Sequence, residues 1–91
     1  MNADTRAGES LMTRWIEANP RKPWEAEARI LGTGIPVWAL IGYLPAVDDD
    51  YEQVAHDYGL PLEAVRAAVA YYHTHRAAID ARLAANAAYA P

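Results

Sequence analysis

The sequence predicts an all-α fold, a helix-turn-helix body with a short N-terminal helix and a long C-terminal one. Of 91 residues 20 are alanine, and 12 of those lie between Ala64 and Ala90, a density that favours helix. Phe is absent and β-branched residues are few. No run of alternating apolar and polar positions exceeds a few residues, which argues against sandwiches and barrels.

Each element has its own signal. Residues 1–9 are small and polar and predict a frayed start. Ser10 can cap a short helix running to Asn19, with Leu11, Met12, Trp15 and Ile16 on one face, until Pro20 and Pro23 stop it. Arg21–Glu27 reads as a connector, and Ala28–Leu31 as a brief extended segment leading into the turn Gly32-Thr33-Gly34. Pro36 suits the first turn of a second helix, whose apolar face is Val37, Leu40, Ile41 and Leu44, and Pro45 ends it. Asp48–Asp50 offer caps, and Asp50 with Gln53 has capping-box spacing, so a third helix is expected over about Tyr51–Tyr58. Gly59 supplies its left-handed terminus and Pro61 opens the next helix.

From Leu62 to about Asn86 there is no Gly or Pro, and Val65, Val69, Tyr72, Ile79 and Leu83 form a heptad stripe interrupted by Arg76. One continuous helix there would be roughly 37 Å long, so its second half is expected to project. The organisation that follows is an N-terminal helix and connector (1–27), a helix-turn-helix body (28–73) and a projecting C-terminal helix and tail (74–91).

Composition narrows the function. Net charge is −4, from 8 basic and 12 acidic residues. Arg6, Arg14, Arg21, Lys22 and Arg29 all precede position 30, and the rest of the chain is acidic, which argues against a surface that grips polyanions everywhere. Without Cys, disulfides, thiolate nucleophiles and cysteine zinc sites are excluded, and a reducing compartment is the natural setting. The longest apolar stretch, Ile35–Leu44, is about half of the ~20 residues a membrane span needs. Met1–Ser10 lacks an apolar signal core, so a cytoplasmic protein without membrane contact is expected. His56, His73 and His75 do not have the helical spacing of a ligand pair, and Asp48–Asp50 lack the alternation of a calcium loop. Ser10 is the only Ser, and Gly32-Thr33-Gly34 matches neither glycine-rich phosphate fingerprint. No metal, cofactor, catalytic residue or enzyme activity is expected.

One constellation carries a signal. Ala55, Gly59 and Val65 are spaced by four and six, as a helix-turn-helix requires of a small contact residue, a glycine turn and a branched packing residue. At the start of the second helix Pro61, Leu62, Glu63, Arg66 and Ala67 would face outward, and Glu63 and Arg66 are the candidates for reading DNA. Against this, no Lys or Arg occurs between Val47 and Val65, where phosphate contacts want cations. Since Ile79 and Leu83 continue the apolar stripe past the compact body, Tyr72, Arg76, Ile79 and Leu83 are expected to form an interface, with a second copy in a homodimer or with a partner. Trp15, Trp24, Trp38, Tyr71 and Tyr72 either fill the core or wall an aromatic groove.

The segments Gly32-Thr33-Gly34-Ile35-Pro36-Val37-Trp38, Leu40-Ile41-Gly42-Tyr43-Leu44, Val54-Ala55, Tyr58-Gly59-Leu60, Val65-Arg66-Ala67-Ala68 and Tyr71-Tyr72 occur in a familiar order. Over about Glu27–Ala85 the chain resembles the VapB-type antitoxin family catalogued as a domain of unknown function, number 433. Many members have an arginine between the threonine and isoleucine of the turn, where this chain has Gly34. The resemblance implies a homeodomain-like helical fold and a role as antitoxin of a type II toxin–antitoxin pair. It also implies a partner similar to PIN-domain ribonuclease toxins and repression of its own operon through operator DNA. The residues alone leave a second reading open, a dimeric helical protein-interaction module without DNA binding, with the acidic third helix as the deciding feature. A ligand-binding regulator that uses the tryptophans is a third.

Overall fold

The computed structural model describes residues 3–88, with side chains described from residue 6. The chain runs α1 (Ala3–Trp15), β1 (Ile16–Glu17), β2 (Arg29–Ile30), α2 (Val37–Tyr43), α3 (Tyr51–Tyr58), α4 (Leu62–Thr74) and α5 (Arg76–Ala88). Single 3₁₀ turns lie at Glu25–Glu27 and Leu44–Val47. The fold is mostly helical with one small antiparallel sheet, in which Ile16 pairs with Ile30 and Glu17 with Arg29.

Local chemistry sets the middle of the chain as expected. The Asp50 carboxylate accepts the Gln53 N–H at 3.1 Å and caps α3, and Gly59 ends that helix at φ 65°, a conformation that costs a glycine little. Only half of the capping box forms, because the Gln53 side chain turns forward to donate to Asp57 at 2.8 Å. Pro36 and Pro61 are the N-caps of α2 and α4. Their extended backbone and missing N–H suit the entry to a helix.

The N-terminal third differs from expectation. Positions 1, 2 and 89–91, at the expected frayed start and tail, lie outside the described residues, and from Ala3 the chain is already helical. A helix this polar needs tertiary support, and α4 provides it: Gly8 lies against Ala70, and Met12 Sδ lies 3.7 Å from the Thr74 hydroxyl oxygen. Helix α1 stops at Trp15 instead of reaching Asn19. The Trp15 carbonyl accepts the Leu31 N–H at 2.7 Å and β-branched Ile16 enters the ladder with Ile30, so strand pairing takes the residues that would have continued the helix. The extended segment expected at Ala28–Leu31 is β2.

The long C-terminal helix is two helices. At His75 the backbone leaves the helical region (φ −132°, ψ 34°), and its N–H bonds back to the Tyr72 carbonyl. The Thr74 hydroxyl and His75 Nδ1 both bond the Tyr71 carbonyl at 3.0 Å, so side chains occupy the acceptor that the next helical N–H would use. The reward for the break is burial. Ile79 of α5 is fully buried beneath α2 and α4, worth roughly 2 kcal/mol over an exposed position. The segment 74–91 therefore does not project as a single extension of α4: α5 packs on the body as far as Leu83, and residues 84–88 are exposed.

The core is one cluster in which Ile30, Val37, Leu40, Val54, Val65 and Ile79 have no more than 1% exposure. Helix α4 passes through its centre, with α1, α2 and α3 packed around it.

Candidate functional site

Helices α3 and α4 are joined by the turn Gly59-Leu60-Pro61, with Ala55 and Val65 buried where the two helices meet. On the solvent side, Asp48, Asp49, Asp50, Glu52 and Asp57 occupy α3 and its lead-in, and the first four are exposed carboxylates.

Asp57 differs from the other four. Its carboxylate accepts the Tyr43 hydroxyl at 2.6 Å and the Gln53 amide at 2.8 Å, and His56 Nδ1 lies 3.3 Å away. The hydrogen bond from Tyr43, followed by those from Gln53 and His56, holds the Asp57 carboxyl below the usual carboxylate range. The same bond to Asp57 raises the Tyr43 phenol above its ordinary value. Tyr43 also meets Tyr58 edge to face at 5.4 Å. Asp57 therefore ties α2 to α3 and Asp50 caps α3, while Asp48, Asp49 and Glu52 are exposed carboxylates.

Glu63 and Arg66, the candidate DNA readers, are both exposed on the first turns of α4. Ala67, expected beside them, has 0% exposure. Helix α1 accounts for this burial. Arg14 reaches Glu63 at 3.8 Å, Gly8 lies on Ala70 and Met12 on Thr74. Glu63, Ala67, Ala70 and Thr74 share one helical face, and α1 lies along it. The Arg14–Glu63 pair is exposed on both sides, so it adds little to the docking. Small residues do more, since Gly8, Ala67 and Ala70 let the two backbones approach closely.

The expected interface of Tyr72, Arg76, Ile79 and Leu83 divides in two. Ile79 is in the core, and Leu83 is half-buried with its Cδ2 placed 2.9 Å from where a Cβ on Gly42 would lie. These two serve the fold, because the break at His75 turns the second half of their stripe inward. Tyr72 and Arg76 stay near the surface. The Tyr72 hydroxyl donates to Asp80 at 2.8 Å, which raises its pKa, and the Arg76 guanidinium lies 5.3 Å over the Tyr72 ring. Together they brace the α4–α5 junction.

A hollow of about 440 Å³ lies between α1, the connector around Pro23–Glu25 and the α4–α5 junction. Trp24, 57% exposed, stands at its edge. Its inner wall is the Tyr71 ring stacked on His75 at 3.9 Å and 6°. The Tyr71 hydroxyl donates to the Glu25 carbonyl at 2.7 Å, and burial, with the Glu25 charge, raises its pKa. Sequence reasoning named Trp24 and Tyr71 as groove candidates but missed His75 and Glu25. Their meeting depends on the helix break, which no Gly or Pro announces.

Among the described residues no group of three His, Asp or Glu side chains is arranged to hold a metal ion, and no helix is long and apolar enough to cross a membrane. A family model described as protein of unknown function (DUF433) matches residues 24–72, more than half of the chain. No curated protein and no solved structure matches it.

Proposed function

The chain belongs to the DUF433 family, and we propose that it is the antitoxin of a type II toxin–antitoxin pair, neutralising a PIN-like ribonuclease by direct protein contact. The observation that carries this reading is the acidic run at the start of α3. Asp48, Asp49, Asp50 and Glu52 are exposed, with no Lys or Arg between Val47 and Val65. A nuclease must attract RNA and so presents cations, and a carboxylate face competes for them. The family resemblance of the sequence supports the same role.

In this reading the homeodomain-like helix-turn-helix of α3 and α4 is a scaffold first and a DNA reader second. Autorepression would rest on Glu63 and Arg66, and α1 lies along the face beside them, with Ala67 fully covered. That coverage favours the second reading, a helical protein-interaction module without DNA binding. Homodimerisation would require a surface other than Ile79 and Leu83, and Trp24 and Leu31, at 57% and 51% exposure, offer one.

The test is co-expression with the protein encoded beside this chain. A neighbour that stops growth alone, and is harmless and co-purifies when paired, supports the antitoxin role. A benign neighbour that forms no complex overturns it. Binding to upstream DNA that weakens steeply with salt and is lost in Arg66→Ala would establish the repressor activity, and no binding at moderate salt would leave the interaction module.

A further inference from the structure

We propose that the hollow beneath Trp24 binds a planar organic cation, an amidinium or guanidinium group, between Glu25 and His75. The first support is the hydrogen-bond pattern of His75. Its Nδ1 lies 3.0 Å from the Tyr71 carbonyl, which can only accept, and 2.8 Å from the Thr74 hydroxyl; with the hydroxyl proton given to the same carbonyl, Nδ1 carries the ring proton, a tautomer assigned from the network. Nε2 of the neutral ring is then an acceptor, and it faces Glu25 Oε2 at 3.8 Å. With the ring neutral, two acceptors face each other there; with the ring protonated, Nε2 pairs with Glu25 itself. A ligand presenting N–H groups on two adjacent nitrogens satisfies both acceptors, and a positive charge suits the carboxylate.

The surroundings fit the same chemistry. Trp24 places an indole at the edge, 57% exposed, where a flat cation can lie against its face. No Arg or Lys lines the hollow among the described residues. Its other carboxylate, Glu17, is already paired with Arg29, so Glu25 is the charge left for a ligand. Met12, Ile16 and Ala28 make the remaining wall apolar, which accommodates the hydrocarbon part that carries the cation. The group can arrive on a small molecule or as the arginine side chain of another protein.

Titration followed by the NMR signals of the Trp24 indole and the His75 ring tests this, using benzamidine, its neutral match benzamide, and N-acetylarginine amide. Saturable shifts at both residues are expected with at least one cation, with benzamide at least tenfold weaker. Saturation by benzamidine alone identifies a small-molecule site; saturation by N-acetylarginine amide identifies a side-chain site. Glu25→Gln, at an exposed carboxylate that leaves the core untouched, should weaken binding at least tenfold, and Trp24→Leu should weaken it several-fold. Equal binding of benzamide, no saturation by either cation, or an unchanged affinity in Glu25→Gln overturns the proposal. None of these outcomes bears on the toxin partner, which is tested separately.

Discussion

Arg82 Nε donates to Glu27 Oε1 at 2.8 Å while its guanidinium lies 4.3 Å over the Trp38 ring. Both partners are largely shielded, with Arg82 at 27% and Glu27 at 12% side-chain exposure. The pair fastens α5 to the turn before β2. Arg82→Ala is expected to lower stability by about 1–2 kcal/mol, combining a shielded charged hydrogen bond with a cation–π contact. Urea unfolding reads the loss, and a double-mutant cycle with Glu27→Gln should return a favourable coupling. Additive effects would mean the pair does not hold α5.

Ile79 gives a sharper test of the folded-back α5. Buried completely, it should cost about 2–4 kcal/mol when replaced by Ala. Had α5 projected into solvent, the same change would be nearly neutral. Thermal and urea denaturation of Ile79→Ala distinguish these outcomes.

How far the sequence could be read depends on the range of the forces involved. Asp50, Gly59, Pro36 and Pro61 act within a few residues of themselves, so α2, α3 and the start of α4 were legible with accurate bounds. The break at His75 was hidden, because its cause is side-chain competition for the Tyr71 carbonyl together with the distant burial of Ile79. Ile16 read as part of a helical face because its strand partner, Ile30, lies 14 positions away. For the candidate sites, the acidic run at Asp48–Asp50 was visible directly. The covering of Ala67 by α1 was not, since nothing in an amphipathic segment states which surface it will seek.

Helix α1 should respond oppositely to two changes at one position. A Cβ on Gly8 would meet Ala70 Cβ at 3.6 Å, an ordinary contact, so Gly8→Ala should stabilise the protein by about 0.5–1 kcal/mol through reduced unfolded-state entropy. Gly8→Leu should push α1 off α4. Hydrogen exchange would then show lost protection in α1 and retained protection in α4. If α4 does read DNA, the same variant should bind it more tightly than the parent.

The Tyr43–Asp57 bond gives stability a dependence on pH at both ends. Asp57 titrates lower in the folded protein than in the unfolded chain, so its contribution is present above the ordinary aspartate range near pH 4 and is lost as pH falls through the depressed value. Tyr43 titrates higher when folded. Its contribution is therefore present below about pH 10 and is lost as pH rises through the elevated value. Tyr43→Phe should flatten both limbs of a stability profile relative to the parent, and an unchanged acid limb would show that Asp57 is held by other groups.

We propose that the acidic run at the start of α3 neutralises a ribonuclease by occupying its cationic surface. The most direct measurement is RNA cleavage by the purified neighbouring protein, titrated with this chain and with an Asp48→Asn, Asp49→Asn, Glu52→Gln triple variant. Inhibition is expected to be complete near a fixed stoichiometry with the parent chain and weakened at least tenfold in the triple variant. Cleavage that continues undiminished, or inhibition by the triple variant equal to the parent's, would contradict it.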